Sequence, residues 1–227
     1  AGAGGMAIGL EKAGFETKML VEIDKNCVST LKKNRPKWNV VQGDIQKIDF
    51  KGMKADVVTG GFPCQAFSHA GNKLGFDDTR GTLFYEFARA VKEIKPKIFL
   101  AENVEAIIRN DNGRTLATIL DVLSSFGYEV QYEILNALNY KVPQKRKRII
   151  FIGTKKGIKF QYPKASTKIV TIKEGLKNVP ESPGEKYSVE KKKMMEYVPP
   201  GGSWVDMPLK IQKKYMGKSF FSTGGRR

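Results

Sequence analysis

The chain has 227 residues, and 40 Lys and Arg against 23 Asp and Glu give it a net charge of +17 with the single histidine neutral. That excess asks for an anionic partner, while 41% hydrophobic and 10% aromatic residues supply a core and exclude a wholly disordered basic tail. No apolar run approaches the ~20 residues of a membrane helix, and two cysteines, Cys27 and Cys64, are too few for a disulfide scaffold. The expectation is one large or two small domains, soluble and intracellular, with both thiols reduced and no membrane partner.

Residues 1–5 (AGAGG) read as a glycine turn with no strand in front of it, so a segment is expected upstream. Ile8 and Leu10 mark a helix over 6–13 that Gly14 ends. The apolar run 17–23 reads as a strand and 25–34 as a helix stopped before Pro36. Residues 38–41 and 55–59 read as buried strands, 81–94 as a helix, 97–100 as a strand and 115–126 as an amphipathic helix. This alternation implies an α/β fold, a mostly parallel Rossmann-like sheet covered by helices, with ligands at the carboxyl ends of the strands. Residues 128–135 and 148–153 have no helical pattern between them and predict an antiparallel pair at the sheet edge. After residue 154 Lys, Pro and Gly punctuate the chain, and only 172–176 and 189–197 stand out. The expected division is therefore 1–154 and a smaller basic region, 155–227.

The charge is uneven. Residues 134–227 hold 22 basic and 6 acidic side chains, and 134–173 hold 11 basic ones and no acid, including Lys145, Arg146, Lys147 and Arg148 in succession. Salt-bridged surfaces mix signs, so a phosphate backbone is the expected counterpart.

Gly2, Gly4 and Ala7 satisfy a loose dinucleotide pattern, and with Gly5 they let the backbone and the helix amides approach a nucleoside cofactor. The pattern does not distinguish a dinucleotide from another nucleoside. Glu22 ends the next strand 17 residues past Gly5, near the ~20 expected of a carboxylate that accepts both ribose hydroxyls. Asp44 either accepts from an adenine amine, with Ile45 packed on the ring, or caps a helix.

Gly60, Gly61, Phe62, Pro63, Cys64 and Gln65 follow directly on a strand, which sets Cys64 at the carboxyl edge of the sheet. Cys27 on its helix reads as packing. A free thiol with a pKa of ~8.5 is mostly protonated near neutrality, so a nucleophilic Cys64 needs positive charge nearby, and Arg146 and Arg148 are the candidates. Residues 68–80 are polar and glycine-rich, the composition of a mobile lid. His69 there is solvent- or DNA-facing, and one histidine with two distant cysteines makes no metal site. Glu102 at a strand end either caps or, held partly protonated, donates to a ring nitrogen. Strand alternation sends Arg146 and Arg148 to one face, where a guanidinium can hold a carbonyl oxygen or a phosphate.

Together AGAGG, VEID (21–24), GDI (43–45), GGFPCQAFS (60–68), ENV (102–104) and QKRKR (144–148) resemble, in order and spacing, the DNA (cytosine-5)-methyltransferases of bacterial restriction-modification systems. The resemblance covers residues 1 to about 154. It implies S-adenosylmethionine as methyl donor, S-adenosylhomocysteine as product, a flipped-out cytosine in double-stranded DNA as substrate, a cognate restriction endonuclease and a bacterial cytoplasmic setting. It makes Cys64 the thiolate that adds to carbon 6, Glu102 the group on ring nitrogen 3, Arg148 the group on the ring carbonyl, and Arg146 a brace acting through Ser68. The cofactor would lie over Gly2, Gly4 and Gly5, with Glu22 at the ribose, Asp44 and Ile45 at the adenine, Pro63 and Leu83 along its side, and Ile23 and Gly61 also among the cofactor-binding residues. Phe62, Gln65, Ser68, Arg80 and Asn103 would face the substrate, and 155–227 would read the DNA. The family's strand before the glycine turn and a later Gly-Asn-Ser-Val stretch are not in these residues, so a further C-terminal segment or a second chain is expected to complete the fold. A tRNA cytosine-5 methyltransferase with the same catalytic residues is the alternative, and a non-catalytic DNA-binding subunit is a second one. Intact Cys64, Glu102 and Arg148 argue against the latter, and a nicotinamide oxidoreductase leaves the cysteine loop unexplained.

Overall fold

The computed structural model describes residues 1–63, 83–181, 184 and 186–222, with 216–222 as backbone alone. The glycine turn leads into α1 (Gly5–Lys12), followed by β1 (Leu20–Glu22), α2 (Lys25–Asn34) and β2 (Val40–Gln42). Asp24 caps α2 by accepting from the Asn26 and Cys27 amides, and Val28 and Leu31 pack against Val40 of β2 with Leu20 and Trp38 around them. β1 and β2 are parallel, Leu20 beside Val40 and Glu22 beside Gln42. Gly4 has φ +90°, and a Cβ there would stand 2.6 Å from Leu31 Cδ2, so both backbone and packing require glycine where the turn crosses α2.

A second, four-stranded sheet has the order β3-β4-β6-β5, built from β3 (Val57–Gly61), β4 (Ile98–Val104), β5 (Tyr128–Asn136) and β6 (Lys147–Lys155). β3 and β4 are parallel, while β6 lies antiparallel to both β4 and β5. Helices α3 (Leu83–Ile94) and α4 (Arg114–Ser124) bury Phe84, Phe87, Ile119 and Leu123 against Phe99, Ile149 and Phe151 of the sheet. A Cβ on Gly60 would meet the Phe87 ring at 2.6 Å, so glycine lets α3 settle on β3. The Tyr128 hydroxyl donates to the Pro96 carbonyl at 2.7 Å, and burial pushes its pKa up to about 12, which keeps it a donor.

The α/β architecture is the expected one, and of the boundaries that differ two bear on the site. β4 does not stop at Leu100; its ladder with β6 continues to Val104 opposite Arg148, so the ENV residues lie inside the strand. β6 begins at Lys147, because the β5 ladder ends at Asn136 and the Asn136 side chain accepts the Arg146 amide instead. Arg146 therefore precedes the strand, and alternation does not pair its side chain with that of Arg148.

Beyond β6 the chain runs back along the sheet. The Tyr162 hydroxyl lies 2.8 Å from the Ile150 carbonyl and 3.2 Å from that of Gln131, and the Ser166 amide donates to the Asn139 carbonyl at 2.7 Å. A Thr171–Glu174 capping box starts the single turn α5 (Ile172–Gly175). These residues belong to the first of two compact units, Ala1–Lys177. The second, Asn178–Arg227, contains α6 (Val189–Met195), capped by Ser188, and α7 (Leu209–Ser222). Within it Gln212 is buried and donates to the Val205 and Met207 carbonyls. Among the described residues no helix is long and apolar enough to cross a membrane.

Candidate active site

The carboxyl ends of β3 and β4 lie side by side, with Gly61 opposite Glu102. Across the antiparallel ladder Glu102 faces Ile150, and Arg148, two residues earlier on β6, lies diagonally on the same face. The side chains meet there, Arg148 Nε 2.9 Å from Glu102 Oε1. A Cβ on Gly61 would come within 3.3 Å of Glu102 Oε2, so glycine leaves the carboxylate room beside the loop that follows.

Asn103 is 3% exposed; its Nδ2 donates to the Phe62 carbonyl at 2.8 Å and its Oδ1 accepts from the Val104 amide at 2.8 Å. Both ends of the amide are thus engaged with main chain. The Phe62 ring packs edge-on to Phe84 with centroids 5.1 Å apart. Side chain and carbonyl together fix the chain at Phe62, two residues before Cys64, while Pro63 is exposed. Cys64, Gln65, Ser68, His69 and Arg80, and with them the expected lid, lie outside the described residues.

The candidate cofactor residues lie on the glycine turn, at the ends of β1, β2 and β3, and at the start of α3. Glu22 Oε2 accepts from the Gly2 amide, and Oε1 accepts from the amides of Ile23 and Asp24, both at 2.9 Å. Burial opposes ionisation of this carboxyl, while the Asp24 and Gly2 amides favour it. Ribose hydroxyls would have to share oxygens that already knit the glycine turn to β1. Ile23 beside it is 67% exposed, an apolar surface at the strand end. Asp44 does take the capping role, accepting from the Gln46 amide at 3.0 Å, and Ile45 opens the 3-10 turn Ile45–Lys47. The Gly43 amide donates to the Glu22 carbonyl at 2.9 Å and holds the two acids to neighbouring strand ends. Cβ atoms at Gly2 and Gly5 would meet nothing within 4 Å, so the turn is open, and Leu83 is exposed at the start of α3. An adenosine suits this set: open glycine backbone, an exposed apolar residue and two carboxylates on adjacent strands. Cys27 is a different kind of thiol: burial and the neighbouring Asp24 both push its pKa up.

Arg89 is a residue the sequence reading missed. From α3 it donates to the carbonyls of Ile45 (2.8 Å) and Ile48 (2.9 Å) and to Glu86. The available signal was Glu86 and Arg89, opposite charges three apart among the apolar residues of the first turns of α3.

The described residues thus bring together a glycine turn, acids on successive strand ends and an acid-arginine pair beside the chain that leads to Cys64. In fold the chain matches a protein described as a DNA modification methyltransferase encoded within an Escherichia coli prophage, with a TM-score of 0.65 and 29% identity over 88% of this chain and 64% of that one. It also matches the Spodoptera frugiperda DNMT2, with a TM-score of 0.57 and 22% identity over 87% of this chain and 63% of that one. In sequence it is 52% identical to the type II methyltransferase M.Eco47II of Escherichia coli, over all of this chain and 58% of that protein. It is 48% identical to M.Sau96I of Staphylococcus aureus, over all of this chain and 55% of that protein. The profile of the C-5 cytosine-specific DNA methylases matches residues 1–215. The chain belongs to that family, and it spans a little over half the length of these curated relatives.

Proposed function

We propose that the protein methylates carbon 5 of cytosine in duplex DNA, with S-adenosylmethionine as donor and Cys64 as transient nucleophile, as the modifying member of a restriction-modification pair. The observation that carries this reading is the Glu102–Arg148 pair, set beside a loop that Asn103 pins two residues before Cys64. A cytosine stacked in the duplex is out of reach, so extrusion costing a few kcal/mol precedes chemistry. The Cys64 thiolate then adds to carbon 6 of the ring. Glu102 holds a proton at ring nitrogen 3 and Arg148 binds the ring carbonyl oxygen, so the electron pair displaced by the sulfur is stabilised and carbon 5 becomes nucleophilic. When bound, S-adenosylmethionine supplies an electrophilic methyl group, and Gly2, Gly4, Gly5, Glu22, Ile23, Asp44, Ile45, Gly61, Pro63 and Leu83 would hold it. Loss of the carbon-5 proton and departure of the Cys64 sulfur restore the aromatic ring. Residues beyond β6 would read the DNA sequence, with Lys and Arg on phosphates.

The test is covalent capture by the full-length enzyme with S-adenosylmethionine and duplex DNA containing 5-fluorocytosine, whose fluorine cannot leave as a proton does. A denaturation-resistant adduct is expected with the wild type and none with Cys64→Ser. An adduct that persists in Cys64→Ser removes the cysteine from the mechanism. Capture by 5-fluorocytosine tRNA but not by DNA moves the substrate to RNA.

A further inference from the structure

Arg89 sits in mid-helix on α3, and its guanidinium is fully engaged. Nη2 donates to the Ile45 carbonyl at 2.8 Å and Nη1 to the Ile48 carbonyl at 2.9 Å. Nε and Nη2 both donate to Glu86 Oε2, at 2.8 and 2.6 Å, and the guanidinium carbon lies 4.8 Å from the centroid of the Phe50 ring. Glu86 is only 7% exposed, and a carboxylate that buried persists only when paired. Glu86 therefore fixes the guanidinium, and the guanidinium fixes the two carbonyls that bracket the turn Ile45–Lys47. The turn has little hold of its own: a single 3-10 winding closed by Lys47 to Asp44 at 3.0 Å and Ile48 to Ile45 at 3.2 Å. Asp44 is its cap, and α3 itself begins at Leu83, directly after the segment that carries Cys64.

We infer that Arg89 is a positioning residue for cofactor selection: by clamping the Ile45 and Ile48 carbonyls to α3 it sets the Asp44 carboxylate where it accepts from the adenine amine. The inference rests on the reading of Asp44 as the adenine contact. A forked guanidinium satisfies two divergent carbonyls and a carboxylate together, whereas a lysine reaches one of them. Loosening the clamp costs discrimination between purines that differ at that amine, and not merely binding strength.

The readout is calorimetric affinity of the full-length enzyme, without DNA, for S-adenosylhomocysteine and for its deaminated analogue S-inosylhomocysteine. One hydrogen bond from the amine to a carboxylate sets the expected wild-type preference at about tenfold or more. Asp44→Asn is expected to bring the ratio near one. Arg89→Met should bring it within about twofold and Arg89→Lys between the two, since lysine recovers one bond and balances Glu86. A general loss of structure weakens both ligands alike and leaves the ratio standing. A wild-type ratio near one overturns the adenine role of Asp44. A wild-type preference that survives intact in Arg89→Met overturns the role of Arg89, and if that variant does not fold, an undiminished preference in Arg89→Lys does the same.

Discussion

Asn103 holds the chain at Phe62 through one short hydrogen bond, and nothing else in its position would serve both main-chain partners. Its amide is a donor at one end and an acceptor at the other, which matches the Phe62 carbonyl and the Val104 amide. Alanine removes the donor to the buried Phe62 carbonyl, at about 1–3 kcal/mol, and the acceptor for the Val104 amide at less, because Val104 is exposed. The larger effect falls on chemistry, because a displacement of about 1 Å at a reacting group costs on the order of a hundredfold in rate. Asn103→Ala is therefore expected to slow adduct formation with 5-fluorocytosine DNA by about that factor while affinity for S-adenosylhomocysteine holds. Asn103→Asp keeps the acceptor for Val104 but turns a buried carboxylate oxygen toward the Phe62 carbonyl, so it should lose rate similarly with a larger drop in melting temperature. Rapid-quench kinetics beside thermal unfolding separates the two effects. A folded Asn103→Ala with wild-type adduct kinetics would remove the residue from the positioning role. Glu22 is placed by the same kind of logic, since its carboxylate is held by backbone donors before any ligand arrives.

β4 and β6 carry the acid and the arginine, so their mutual packing sets the geometry of the pair. Phe99 on β4 lies directly across from Gly153 on β6, and a Cβ at Gly153 would stand 2.0 Å from the Phe99 ring. The ring occupies the space above the glycine and is fully buried, so it has no exit. Gly153→Ala is expected to destabilise the protein by about 1–3 kcal/mol, the usual range for overpacking, and Phe99→Leu in the same chain to recover part of the loss. Urea unfolding of the two single variants and the double variant measures the coupling, and additive effects would show that the ring does not lie on the glycine. The apolar runs of β3, β4 and β6 made these strands legible in the sequence, and the GGFPC, ENV and QKRKR motifs placed the site at their ends. The continuation of β4 through Glu102 was not legible, because its polar residues are held in the strand by a ladder to a segment some forty positions away. Arg89 was hidden for a related reason: its distant partners are main-chain carbonyls, which leave no trace in residue type. In α7, lysines and a glycine interrupt the apolar pattern, and the helix escaped notice.

The basic stretch 134–173 is one block in the sequence and two places in the fold. Lys145, Arg146, Lys147 and Arg148 stand where β6 starts, at the rim that holds Glu102. β6 then carries the chain away antiparallel to β4, and at about 3.4 Å per residue Lys155 is on the order of 24 Å from Arg148. At that far rim Lys155 Nζ donates to the Lys95 carbonyl, with Lys156 and Lys159 close by in the chain. The following residues return: the Tyr162 hydroxyl bonds at Ile150, the Tyr140 hydroxyl donates to the Pro163 carbonyl at 3.1 Å, and Ser166 bonds at Asn139. Burial and then the charge of Glu133 push the Tyr162 pKa up to about 12, so its hydroxyl stays a donor across the working pH range. Lys164 and Lys168 are thereby brought back to the end of the sheet that carries the arginine, and both are exposed. On the proposed function, topology, and not charge count, decides which lysines meet phosphate. For the full-length enzyme on nonspecific duplex, the slope of log affinity against log salt is about −0.9 per phosphate contacted. Replacing Lys164 and Lys168 with Gln is expected to make that slope shallower by about one to two units. The same change at Lys156 and Lys159 should leave it as in the wild type. Fluorescence anisotropy titrations over a range of salt concentrations compare the pairs directly. Equal shallowing by both pairs would mean that DNA runs along the whole length of β6 and not across the rim alone.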